Sequence, residues 1–123
     1  MSELTLFDRL GGESTIQGVA ADFYDRVIAD RRLEPFFGQI EMAHQLDQLT
    51  AFLIMGLGGP DRYSGRGMRE AHAEAVEQGL SDRHFDCVIE HLDAAFASIG
   101  AEEKDIAQVQ ALVAILRQDV LGR

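Results

Sequence analysis

The chain has 123 residues and a formal net charge of −10, from 21 acidic and 11 basic side chains. With 46% hydrophobic and 26% charged residues it has ordinary globular usage and is long enough for one self-sufficient core. The acidity excludes a binder of nucleic-acid phosphates or of an anionic membrane surface, and the single Cys87 excludes an intramolecular disulfide.

The first ten residues lack the basic start and apolar run of a secretory signal. The longest apolar run, Ala51 to Leu57, is too short to cross a bilayer. A cytoplasmic protein with a single domain over residues 1–123 is expected.

In chain order, Leu4, Leu6, Phe7 and Leu10 predict a short helix ended by Gly11-Gly12. Ser14 is the expected cap of the next helix, which runs to about Ala29. Its inward face is Ile16, Val19, Ala20, Phe23, Tyr24, Val27 and Ile28, at helical spacing. Leu33 to Phe37 reads as a tight turn around Pro35 that presents Phe36 and Phe37. Met42 to about Leu57 is apolar over much of its circumference, so a heavily buried helix is expected there, stopped by Gly58-Gly59-Pro60.

A loop of glycine and mixed charge, Asp61 to Gly67, leads to a short helix carrying His72. Ser81 is the expected cap of a long helix to Ile99, with Phe85, Val88, Ile89, Leu92, Phe96 and Ile99 inward. A last helix spans about Glu102 to Leu121, with Ile106, Val109, Val113, Leu116 and Val120 inward. No stretch alternates with a strand period, so the fold class is all-α. The unequal helices and the long loop before His72 fit a helical cage around a ligand better than an up-down bundle.

His72 lies one turn from both Met68 and Val76, which puts its imidazole on an apolar helix face. A buried histidine must be hydrogen-bonded, packed as core or bound to a metal. By itself a lone histidine on such a face is most simply core. Its surroundings point elsewhere. The segment from Gly58 to His72, ending Met68-Arg69-Glu70-Ala71-His72, resembles the proximal-histidine segment of the group I truncated haemoglobins. The resemblance extends over Leu10-Gly11-Gly12, Phe23-Tyr24-Asp25-Arg26-Val27, Phe36-Phe37, Ala51-Phe52-Leu53 and His84-Phe85-Asp86, in family order.

That resemblance implies a shortened globin in which two helix pairs sandwich a haem b. His72 becomes the iron ligand, with Met68 beside it, and a carbonyl one turn earlier is the expected partner of its second ring nitrogen. Phe37 matches the family's haem-stacking aromatic, and Phe85, Val88, Val113 and Leu116 are further wall residues. Tyr24 matches the donor to bound dioxygen. Gln45 and Gln48 match distal polar contacts, and Leu49 and Phe52 lie along the adjacent rows of that helix. Arg62, Tyr63, Arg66, Arg69 and His44 are the expected partners of the haem propionates.

Two departures from the family pattern bear on this reading. Some members carry an iron-binding histidine where this chain has Gln48, and some carry a histidine that bonds to a haem vinyl where this chain has Leu116. A non-covalent haem with a five-coordinate ferrous iron is therefore expected. Dioxygen, nitric oxide and carbon monoxide are the implied ligands, and a monomer or weak dimer is expected. Oxygen carriage and oxidation of nitric oxide share every binding residue, as does a peroxidase reaction. Catalytic turnover would need an external reductase, since the chain has no segment for flavin or nicotinamide.

Two other patterns carry less. Glu41-Met42-Ala43-His44 is half of a di-iron signature, but a second copy is missing. His84, Cys87 and His91 form a stripe at metal-ligand spacing, on the side expected to face away from the apolar stripe of their helix.

Overall fold

The computed structural model describes residues 4–38, 40–63 and 67–123. Every regular element among them is helical. Helix α1, Leu6–Leu10, begins at Thr5, whose hydroxyl accepts the Asp8 amide at 3.1 Å. It ends at Gly11-Gly12, where φ values of 117° and 82° let the chain reverse as no residue with a Cβ readily does. Helix α2, Glu13–Ile28, follows directly, so its N-cap is Gly12 and not the expected Ser14. The double-glycine turn delivers the chain into helical geometry at Glu13, one residue before Ser14 is reached.

A 3-10 turn at Glu34–Phe36 joins α2 to α3, Met42–Gly56. Helix α3 stops at Gly58, with φ 105°, where a side chain would run into Thr5. Next come α4, Met68–Glu77, and α5, Asp82–Ser98. The expected single last helix is two: α6, Glu103–Ala114, and α7, Arg117–Val120. The apolar period of residues 106–120 continues through the break, which is why the pattern suggested one helix. At the break the chain tightens, with the Ile115 and Leu116 amides donating three residues back to the Leu112 and Val113 carbonyls.

Four helices form the frame. α2 packs on both α3 and α5, and α6 packs on the same two. Ile16, Val19, Leu53, Leu92, Phe96 and Val109 fill the space between them and are almost fully buried. α7 packs on α4 at one end of this frame. Ile28 and Ile99, expected inward, are exposed: Ile28 is the last residue of α2 and Ile99 is the C-cap of α5.

The α5 stripe also differs from expectation. Cys87 is buried in the core, not exposed. An α5 packed against α2 and α6 is covered on more than one face, so the side opposite its main apolar stripe meets the turn after α2. There His91 Nε2 lies 2.7 Å from Asp30 Oδ2, and Arg32 donates to both Asp30 oxygens. His84 instead serves the N-terminus of α5, where its Nδ1 accepts the Ser81 amide at 3.1 Å. Among the described residues no group of three metal-ligating side chains exists. No described helix is long and apolar enough to cross a membrane.

Candidate functional site

A cleft partly open to solvent is lined by α2 and α3 and by α4, α5 and the α6–α7 segment.

His72 enters from α4. It is buried, 8% exposed, on a face it shares with Met68 and Ala75. Its Nδ1 lies 2.7 Å from the Met68 carbonyl oxygen, so that nitrogen carries the proton and donates. Nε2 is then the ring nitrogen left for the cleft. Burial pushes the imidazole's pKa down, with the Met68 hydrogen bond opposing in part. The neutral ring is the form able to ligate a metal.

Tyr24 from α2, and Gln45 and Leu49 from α3, line the cleft as well. Tyr24 is half-buried and brings a hydroxyl to an otherwise apolar stretch of wall. Phe37, Phe85, Val88, Val113 and Leu116 all line it, as the sequence suggested.

Other expected positions lie elsewhere. Gln48 and Phe52 do not line the cleft. Gln48 is one row round the helix from Gln45 and Leu49. Phe52 shares their row but lies about 4.5 Å further along the axis than Leu49. It is core, and its ring meets Tyr63 edge-on with centroids 5.0 Å apart. Tyr63 is thus a packing partner of Phe52 and absent from the lining. Arg62 pairs with Glu13, Arg69 pairs with Asp119 and donates to the Arg123 carbonyl, and His44 is exposed outside the lining. Arg66 falls outside the described residues. His84, which sequence reasoning had assigned to an outward stripe, lines the cleft and meets Phe36 edge-on at 4.7 Å. Its place one residue before Phe85, in the first turn of α5, was the available signal.

Residues 5–121 match the Bacterial-like globin family. A group 1 truncated haemoglobin of Synechocystis sp. is 42% identical over 122 residues, spanning 97% of this chain and 98% of the relative. One from Tetrahymena pyriformis is 39% identical over 119 residues, 97% and 96% of the two chains. The chain belongs to the group 1 truncated haemoglobins. In three dimensions it resembles a 2/2 haemoglobin from Synechococcus sp. in the cyanomet state with covalently attached haem. The TM-score is 0.84 at 36% identity, covering 98% of this chain and all of that one. The T. pyriformis protein in its Fe(III) form gives 0.82 at 38% identity, with the same coverage.

The fold is therefore the two-over-two helical sandwich of the truncated haemoglobins, and haem b is the cofactor. The residues present fit it. The walls are apolar and aromatic, the one buried imidazole on them has a single free nitrogen, and polar groups reach the cleft from the facing helices. As in any truncated haemoglobin, the site serves a haem that binds a small ligand.

Proposed function

We propose that the protein binds dioxygen reversibly, with His72 as the iron ligand and Tyr24 and Gln45 as the donors to the gas. The observation that carries this reading is that His72, held by Met68, shares one apolar cleft with Tyr24 and Gln45 on facing helices. Haem, when bound, would supply a ferrous iron able to take a diatomic gas, and His72 would hold it.

The chain's part is binding, orientation and exclusion of water. The Nδ1–H bond to the Met68 carbonyl fixes the tautomer and ring plane of His72 and raises its basicity. Phe37, Phe85, Val88, Val113 and Leu116 pack the macrocycle and keep water from it. Leu49 closes the gas side. The Tyr24 hydroxyl, on the cleft wall, would donate a hydrogen bond to a diatomic ligand that gains negative charge there. Leu116 has no nucleophilic atom for a vinyl group, so the cofactor is held without a covalent bond.

The same donors favour a second reading as a nitric oxide dioxygenase. Nitric oxide, dioxygen and one electron give nitrate, and the electron must come from an external reductase. The charge of −10 favours a reductase with a basic docking face, whose association slows as salt rises. A peroxidase reaction would draw on the same pocket. The protein is further read as cytoplasmic and as a monomer or weak dimer, with dioxygen, nitric oxide and carbon monoxide as its ligands.

Equilibrium dioxygen titration of the reduced protein, with His72→Gly alongside, tests the binding reading. Reversible binding by the native protein is expected, and loss of the native ligation spectrum in the variant. Steady-state nitric oxide consumption with a cellular reductase and nicotinamide cofactor tests the enzymatic one. Turnover at the background rate leaves dioxygen binding as the function.

A further inference from the structure

α7 is four residues long, far below what holds a helix together in isolation. Its position must come from its neighbours, and it is the helix packed most closely on α4, which carries His72. Three residues at or beside α7, Leu116, Val120 and Leu121, also form part of the cleft wall.

Charged groups fasten this segment from two sides. Arg117 donates from Nη1 to Asp82 Oδ1 at 2.9 Å and from Nη2 to Asp86 Oδ1 at 2.7 Å, bridging two carboxylates one turn apart on α5. Its guanidinium also lies 4.6 Å from the centre of the Phe85 ring, itself a wall of the cleft. Arg123 donates to both oxygens of Asp82, at 2.8 and 2.9 Å. From α4, Arg69 donates to the Arg123 carbonyl at 2.8 Å and pairs with Asp119 at 3.4 Å. Single exposed ion pairs contribute little. Here six charged residues form one connected set, and its centre, Arg117, is only 27% exposed and stacked on an aromatic face.

We propose that this set is a clasp and that Arg117 is a positioning residue for the proximal side of the cleft. By holding α7 between Phe85 and α4, it fixes the tilt of the His72 imidazole and keeps the wall at Leu116–Leu121 closed. The inference rests on the reading of His72 as the iron ligand. A lysine cannot span both carboxylates and stack at once, so Arg117→Lys preserves the charge and loses the geometry.

The test compares the haem-loaded native protein with Arg117→Lys and Arg117→Met, the latter keeping an apolar stem over Phe85. Two quantities are read: the iron–imidazole stretching band of the ferrous protein by resonance Raman, and the rate of haem transfer to excess apomyoglobin. The expected result is a shifted or broadened band and haem loss several-fold faster in Arg117→Met, with Arg117→Lys between it and the native protein. Molar salt, which weakens the pairs, should move the native protein the same way. This arm holds even if the variants fold poorly. A native band and native loss rate in Arg117→Met, or a native protein indifferent to salt, would overturn the clasp. Absence of any iron–imidazole band from the native ferrous protein would instead overturn His72 as ligand, and the positioning role with it.

Discussion

The Nδ1 of His72 and the carbonyl oxygen of Met68 lie 2.7 Å apart, one turn from each other on α4. The carbonyl belongs to the first residue of the helix, so the hydrogen-bond partner of the imidazole comes from its own helix. His72→Gly should leave α4 folded while removing the axial ligand. Added imidazole should then restore a histidine-like absorption spectrum. A variant with the native spectrum before imidazole is added would remove His72 from the iron.

Acid should act through the same ring. Burial lowers the pKa of His72 in the folded protein relative to the unfolded chain. Below the unfolded value, about 6.5, the unfolded chain takes up a proton that the folded state resists, so stability falls as pH falls. Chemical denaturation of the haem-free protein between pH 7.5 and 5 should show that loss, and His72→Leu should flatten it. Equal slopes in the two proteins would assign the acid sensitivity elsewhere.

Tyr24→Phe should release dioxygen faster. A hydrogen bond to a charged acceptor contributes about 1.5–3 kcal/mol, so dissociation should accelerate by roughly one to two orders of magnitude. Carbon monoxide, which draws less charge, should change much less. Stopped-flow release measures both gases. If dioxygen release is unchanged, the Tyr24→Phe, Gln45→Leu double variant decides whether Gln45 carries the donor role.

Asp30 joins the turn after α2 to α5. First the Arg32 guanidinium, against the opposing effect of burial, and then His91 hold its carboxyl well below the usual carboxylate range. The stability this brings is present above the unfolded value, near 3.9, and is lost as pH falls through the depressed folded one. Asp30→Asn should therefore lower stability at pH 7 by about 1–3 kcal/mol and blunt acid unfolding below pH 4. Because that turn leads directly to Phe36 and Phe37, which line the cleft, faster haem loss should accompany it.

Acidic organic extraction should remove all colour from the protein, since Leu116 stands where some relatives carry a vinyl-bonding histidine. Haem retained on the polypeptide after extraction would show a covalent bond formed elsewhere.

How much of this was legible in the sequence depended on the range of the forces involved. The helical faces, His72, its carbonyl partner and the wall residues Phe37, Phe85, Val88, Val113 and Leu116 follow from 3.6-residue periodicity and from the family motif. Both are properties of contiguous chain. The break after Ala114 was hidden because the apolar period of residues 106–120 runs through it, and the pairs of Arg117 with Asp82 and Asp86 join positions far apart in the chain. Cys87 and His91 were misread because one amphipathic stripe does not reveal a second buried face. Gln48 and Phe52 are in the right helix, but whether a position meets the cleft depends on rotation and distance along the axis, which motif matching does not supply.

The cleft draws its walls from residues 23–49 and again from residues 113–121, with the His72 helix and the first turns of α5 between them. A ribosome emits these walls in that order. While the first hundred residues are outside and the rest are not, Tyr24, Gln45 and His72 have all emerged, yet one side of the pocket has not been made. A chain without residues 113–121 would lack Val113, Leu116, Val120 and Leu121 from that wall, so complete closure around a cofactor must wait for the end of synthesis. Such intermediates are where a chaperone or a haem donor would have the longest access to the chain.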